Sequence, residues 1–155
     1  MKLSTKGRYG LRAMVDLAIN STEDQVVALS QIAERQEISV NYLEQLIARL
    51  RRAGLVQGIR GAQGGYILSK SPEDISIGDI LRALEGNLNP VECTEIIGDN
   101  ICNNSDVCVT KYVWKRISDS INQTVDSIKL SELLEESIRL IGNNTEDDNK
   151  PIIIC

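Results

Sequence analysis

The chain has 155 residues, 42% of them hydrophobic, a formal net charge of −5, four cysteines and no histidine. That length supports one compact core with one appended element. No apolar run approaches the roughly 18 residues of a membrane span, and no long apolar stretch of signal-peptide type opens the chain. A cytoplasmic protein without membrane contact is expected, a setting in which clustered thiols mean metal or redox chemistry more often than a disulfide framework. With no histidine, no nucleophile beside a base and no phosphate loop, enzyme chemistry is not expected.

The charge is unevenly placed. Residues 1–75 carry ten Lys/Arg against eight Asp/Glu, and residues 76–155 carry seven against fourteen. The basic groups lie in the half that would meet phosphate, while acids of the other half can face solvent.

Leu11, Met14, Val15 and Ala18 recur at the spacing of one helical face, which predicts an amphipathic helix over residues 3–20. Its leading segment is cationic through Lys2, Lys6, Arg8 and Arg12, and a basic run ahead of a helix-turn-helix pattern suits backbone phosphate contact. Leu29-Ser-Gln-Ile-Ala-Glu-Arg then reads as a short helix with Ser30 as its cap, followed by a turn and by Ser39 as cap of a second helix from Val40. In that second helix Leu43, Leu46, Ile47 and Leu50 form one stripe. Asn41, Gln45, Ala48 and Arg52 point the other way, with Glu44 and Arg49 on the flanks. Asn and Gln pair with adenine edges, Arg with guanine, and Glu accepts from the cytosine amino group in a major groove. An ordinary solvated helix surface has the same composition, so the sequel decides.

Gly54 stands where a helix closes in a left-handed conformation, and Leu55–Arg60 and Gly65–Ser69 read as two short strands around Gly61-Ala-Gln-Gly-Gly65. A glycine-rich hairpin after a reading helix is a wing, and Arg60 at its base is placed for phosphate or a narrow minor groove. Further on, Ser71-Pro-Glu-Asp is a capped turn, and Ser76 with Asp79 caps a helix from Ile77 to Leu84 that Gly86 and Pro90 end. An Asn-, Asp- and Gly-rich loop runs to Cys108. Beyond it Trp114, Ile117, Ile121 and Ile128 fit a heptad seam, with Thr124 in the remaining slot, and so predict a long pairing helix. A last helix spans Ser131 to Ile141, and an acidic tail ends in Ile152-Ile-Ile-Cys155.

Lys6-Gly-Arg-Tyr near the start, Tyr42-Leu-Glu-Gln-Leu in the reading helix, and Arg60-Gly followed by Gly64-Gly-Tyr in the hairpin together resemble the IscR-type family of bacterial winged-helix regulators (IscR-, NsrR- and CymR-like), over residues 1–142. The resemblance implies a homodimer on double-stranded DNA with a near-palindromic operator. It puts Asn41, Tyr42, Glu44, Gln45, Arg51 and Arg60 at DNA-contacting positions, to which the basic end of the helix adds Arg49 and Arg52. Glu44 matches an acidic residue that tunes sequence choice in cluster-binding relatives, where it acts by disfavouring wrong sequences. The expected fold is mainly α with a small β-hairpin wing: a winged helix-turn-helix over 1–75, a sensor loop (90–110) and dimerisation helices over 76–142, and a flexible tail over 143–155.

Cys93-x8-Cys102-x5-Cys108 supplies three soft thiolates, the ligand type of iron-sulfur clusters, zinc and copper(I). By resemblance these three align with the cluster loop of the IscR and NsrR branches, so an iron-sulfur cluster, 2Fe-2S in type, is the expected cofactor. The fourth ligand departs from the pattern. IscR-like relatives read Cys-Leu-Thr-His where this chain reads Cys108-Val-Thr-Lys111, and NsrR-like relatives use an acid from the partner's first helix where this chain has Arg8. Asp106, Glu92, Glu95, Cys155 and a small exogenous thiol all stay open. So do metal-free thiol sensing, a structural zinc site, and an adaptor role in which the acidic half binds a metabolic enzyme. The genes expected under its control, by family, serve iron-sulfur biogenesis or sulfur metabolism.

Overall fold

The computed structural model describes residues 3–92 and 107–143. The first helix, α1 (Thr5–Asn20), starts where Ser4 Oγ accepts from the Lys6 amide at 3.1 Å, two residues inside the expected start. The second, α2 (Leu29–Gln36), is capped differently from the expectation. Its N-cap is Ala28, whose backbone N–H donates to Gln31 Oε1 at 3.0 Å, and Ser30 lies within the helix on an exposed face. The reading helix α3 (Val40–Arg52) is capped by Ser39, which accepts from the Tyr42 amide at 3.3 Å. It ends at Gly54 with φ +73°, a left-handed conformation that costs glycine little.

Strands β1 (Val56–Ile59) and β2 (Gly65–Leu68) pair antiparallel with Val56 opposite Leu68 and Ile59 opposite Gly65. Val27 joins them through two backbone bonds with Tyr66, of 3.0 and 2.8 Å, an addition the sequence reading missed. This pairing forces glycine at 65, because a Cβ there would lie 2.6 Å from the Val27 carbonyl oxygen.

A 3-10 turn (Pro72–Asp74) leads to α4 (Ile77–Glu85), opened by the expected reciprocal cap: Asp79 N–H to Ser76 Oγ at 3.0 Å and Ser76 N–H to Asp79 Oδ2 at 3.1 Å. After residue 107 come α5 (Lys111–Ser127) and α6 (Leu130–Asn143). Ile128 is not part of the α5 seam as expected. The chain is extended there, Ile77 N–H donates to the Ile128 carbonyl at 2.9 Å and Leu130 N–H to the Ile75 carbonyl at 2.9 Å, so residues 128–130 lie beside the start of α4. Of the rest of the seam, Trp114, Ile117 and Ile121 are helical and half-buried, and Thr124 is helical and exposed.

One apolar core joins α1 through α4, drawing Met14, Leu17, Ile32, Leu43, Leu46, Ile47, Leu50, Ile75, Ile80 and Leu84, with Leu130 of α6 completing it. Each such side chain, fully removed from water, contributes roughly 1.5–3 kcal/mol before entropy is counted. The result is the expected mainly α fold with a hairpin wing, its core crossing residue 75 without a break. No helix among the described residues is long and apolar enough to cross a membrane. The tail from 144 onward, with Cys155, lies outside the described residues.

Candidate functional site

The residues singled out in the sequence fall in two regions. The first is the outer surface of α3 with the adjoining wing. Leu43, Leu46, Ile47 and Leu50 are all sealed into the core, which turns Asn41, Glu44, Gln45, Arg49 and Arg52 to solvent on the opposite side and flanks. Arg51 is exposed too, and its Nη1 lies over the bare Cα of Gly58 on β1, so helix and wing share one basic surface. Arg60 stands exposed at the start of the wing loop, whose turn is closed by Gly64 N–H on the Gly61 carbonyl at 3.0 Å. Any Cβ at 64 would lie 2.3 Å from the Ile59 carbonyl oxygen, which accounts for glycine in that loop. Among the described residues Arg49, Arg51, Arg52 and Arg60 have no carboxylate partner, and uncommitted guanidinium groups are what phosphates and guanine edges require.

Tyr42 differs from its neighbours. It is half-buried, its hydroxyl 3.2 Å from Thr5 Oγ1 and its ring edge-on to Tyr9 with centroids 6.0 Å apart. It ties the first residue of α1 to the first turn of α3, a role that sequence reading did not assign to it.

The cationic start of α1 also divides. Lys2 lies outside the described residues, Lys6 and Arg8 are exposed, but Arg12 turns inward, donating to the Gln36 carbonyl at 2.5 Å and to Gln36 Oε1 at 3.3 Å while stacking over Tyr9. Arg12 therefore fastens α1 to the end of α2. Beside it Asp16, almost fully buried, accepts from Arg35 Nη2 at 2.6 Å, Arg35 Nε at 2.9 Å and Gln36 Nε2 at 2.8 Å. These bonds hold the Arg35 guanidinium above its ordinary pKa. A carboxylate set within the apolar run Val15-Asp16-Leu17 was the available signal, since a buried charge must be paired.

The second region is the segment between α4 and α5. Cys108 lies three residues before α5, with its Sγ 3.2 Å from Thr110 Oγ1. That hydroxyl, followed by the backbone N–H of Lys111, holds the thiol below its ordinary value. Cys93 and Cys102 lie outside the described residues, as do Glu95, Asp106 and Cys155; Glu92 is exposed at the edge of the described chain. Among the described residues no three His, Cys, Asp or Glu side chains converge as a metal site.

Helix α5 rests on the body through Val125, which packs against the core, and through polar contacts. Arg82 donates to Asn122 Oδ1 at 2.9 Å and pairs with Asp126, and Ser118 Oγ donates to Asn89 Oδ1 at 2.6 Å. Ser118 is the one buried residue of α5, and Tyr112 and Val113 are exposed by 66% and 47%.

Comparison with known proteins places this architecture. A family model described as an iron-dependent transcriptional regulator, Rrf2, matches residues 3–136. The HTH-type transcriptional regulator IscR of Escherichia coli (strain K12 / DH10B) is 41% identical over 134 residues, spanning 86% of this chain and 80% of that protein. Among solved structures, T. potens IscR is similar with a TM-score of 0.70 and 47% identity over 88% of each chain. CymR (YrzC), the global cysteine regulator of B. subtilis, is similar with a TM-score of 0.69 and 41% identity over 88% of this chain and 98% of that one. With a winged helix-turn-helix that exposes a basic reading surface and a family match across most of its length, the chain belongs to the Rrf2 family of DNA-binding transcriptional regulators, which are not enzymes.

Proposed function

We propose that the protein is a homodimeric operator-binding regulator whose activity follows the state of Cys93, Cys102 and Cys108, with an iron-sulfur cluster of the 2Fe-2S type as the sensed group. The observation that carries this reading is the position of the three thiols on the single connection between α4, which belongs to the DNA-reading core, and the under-buried α5. The donor chemistry fits: thiolates bind iron, and the one cysteine within the described residues has its thiolate form favoured by Thr110 and Lys111. The three cysteines would hold the cluster; a fourth ligand would come from Glu92, Glu95, Asp106, Cys155 or a small thiol. When bound, the cluster supplies a redox- and iron-responsive crosslink.

In this reading residues 1–75 recognise DNA, with Asn41, Tyr42, Glu44, Gln45, Arg49, Arg51, Arg52 and Arg60 as contacts, and residues 76–142 sense and dimerise. The exposed and half-buried apolar side chains of α5, from Tyr112 to Ile121, are covered by the same helix of a second copy. Two reading helices then meet half-sites about one helical turn apart, or a multiple of it. Cluster binding on the cysteine segment shifts the two heads relative to each other and changes which operators are held. The regulated genes belong to iron-sulfur biogenesis or sulfur metabolism.

A second reading, thiol sensing without metal, is favoured by two observations: the chain has no histidine for the fourth position, and it is as similar to the cysteine regulator CymR as to E. coli IscR, at 41% identity each. An absorption spectrum with iron and sulfide analysis, on protein purified without oxygen, separates the two. Thiolate-to-iron absorption that disappears in the Cys93→Ala, Cys102→Ala, Cys108→Ala variant supports the cluster. Colourless protein that also resists reconstitution overturns it in favour of thiol chemistry.

A further inference from the structure

We propose that Glu85 is a positioning residue for operator recognition: its carboxylate fixes the first turn of α1 against the reading helix α3, and Gly7 is the position whose missing side chain admits it. Glu85 is the last residue of α4, yet its Oε1 accepts from three donors at the start of α1, Ser4 N–H at 3.1 Å, Ser4 Oγ at 2.6 Å and Gly7 N–H at 2.9 Å. Helix starts leave amides without partners and favour negative charge, so a carboxylate brought from another helix is held there by charge-assisted bonds.

The approach is close. A Cβ on Gly7 would stand 2.6 Å from that same oxygen, which at the end of a flexible side chain would swing away rather than disturb the backbone. The glycine of the Lys6-Gly-Arg-Tyr motif thereby acquires a physical role that helix formation does not explain, since glycine weakens helices.

The turn held in this way carries the exposed Lys6 and Arg8, and its Thr5 is the partner of the Tyr42 hydroxyl on α3. Three bonds to α4 on one side, and the contacts of Thr5 and Tyr9 with Tyr42 of α3 on the other, thus set where the cationic start of α1 sits relative to the reading face. Glu85 is also followed directly by Gly86, with φ +93°, where the chain departs toward the cysteines.

The test uses the full chain, a duplex chosen by in vitro selection with the wild-type protein, and an unrelated duplex of equal length. Gly7→Ala and Glu85→Gln are each expected to weaken binding of the selected duplex about tenfold, the scale of one misplaced specific contact. They should leave the unrelated duplex within about twofold. Amide exchange at Ser4–Arg8 should quicken in both. Gly7→Ala raises helix propensity, so its loss cannot be assigned to a weakened helix. Either loss should also be less than additive with that of Tyr42→Phe, because both act through one contact chain. Wild-type affinity in both variants, equal losses on the two duplexes, or full additivity with Tyr42→Phe would overturn the proposal. Failure of the wild-type chain to enrich any duplex would overturn the DNA-reading assignment itself, a result visible before any variant is made.

Discussion

Helices α3 and α5 solve opposite problems. In α3, four side chains of thirteen residues are sealed in the core of the same chain and the remaining surface, Val40 at its first position apart, is mostly polar and basic. In α5, seventeen residues bury only Ser118, while Trp114, Ile117 and Ile121 are half-covered and Tyr112 and Val113 are open to solvent. One helix is complete within its own chain; the other has an apolar side with too little protein over it. The body that must present a fixed surface to DNA is held by dense packing, whereas α5 meets that body through polar bonds with Arg82 and Asn89 and through the half-buried Val125. Packed cores do not deform gradually, whereas a polar contact can be exchanged for water at small cost, so α5 is the more easily displaced of the two helices.

The sharpest way to break this contrast is to attack the core of α3. Leu46→Ala should cost about 2–5 kcal/mol, read by chemical denaturation, because a buried leucine is replaced by a cavity. On α5, Ile117→Asp should leave the winged body folded but weaken subunit association at least about a hundredfold in sedimentation, as a charge is forced into an apolar contact. In the same variant the melting temperature should lose its dependence on protein concentration. If Ile117→Asp remains dimeric, the distinction drawn between the helices fails.

Smaller effects sharpen it. Arg60→Ala should weaken all duplexes by a similar factor, about five- to tenfold, and lower the salt slope by about one, as loss of a phosphate contact does. Finally, Thr110→Val removes the hydroxyl that lowers the Cys108 thiol. A lowered thiol pKa means more thiolate at neutral pH, so the variant, its pKa raised, should be alkylated more slowly at pH 7, with the midpoint of the pH profile moved upward. A profile identical to wild type would remove Thr110 from the account.

Much of α3 and the wing was legible because period and punctuation agree: the stripe from Leu43 to Leu50, Ser39 before it, Gly54 after it and a glycine-rich turn between short strands. The capping pair Ser76 and Asp79 was legible for the same reason, being local. What escaped were contacts between residues far apart in sequence. Glu85 with Ser4 and Gly7, Thr5 with Tyr42, and Val27 with Tyr66 join separate elements, and no local pattern announces them. Ile128 was misplaced because its spacing continues the heptad, while backbone pairing with Ile77 draws it out of the helix. Arg12 was taken for a surface cation because charge alone does not reveal that its partner is a backbone carbonyl at the end of α2.

The most direct test of the central claim is the affinity of one selected duplex, by fluorescence anisotropy at fixed salt, for three preparations: anaerobically reconstituted protein, the same protein stripped of iron, and the Cys93→Ala, Cys102→Ala, Cys108→Ala variant. If the cysteines control the reading surface, the reconstituted form differs from the stripped form by about fivefold or more, a usual size for coupling between two sites, and the variant matches the stripped form before and after reconstitution. Equal affinity in all three would contradict it, leaving a DNA-binding protein whose cysteines do not report to its reading surface.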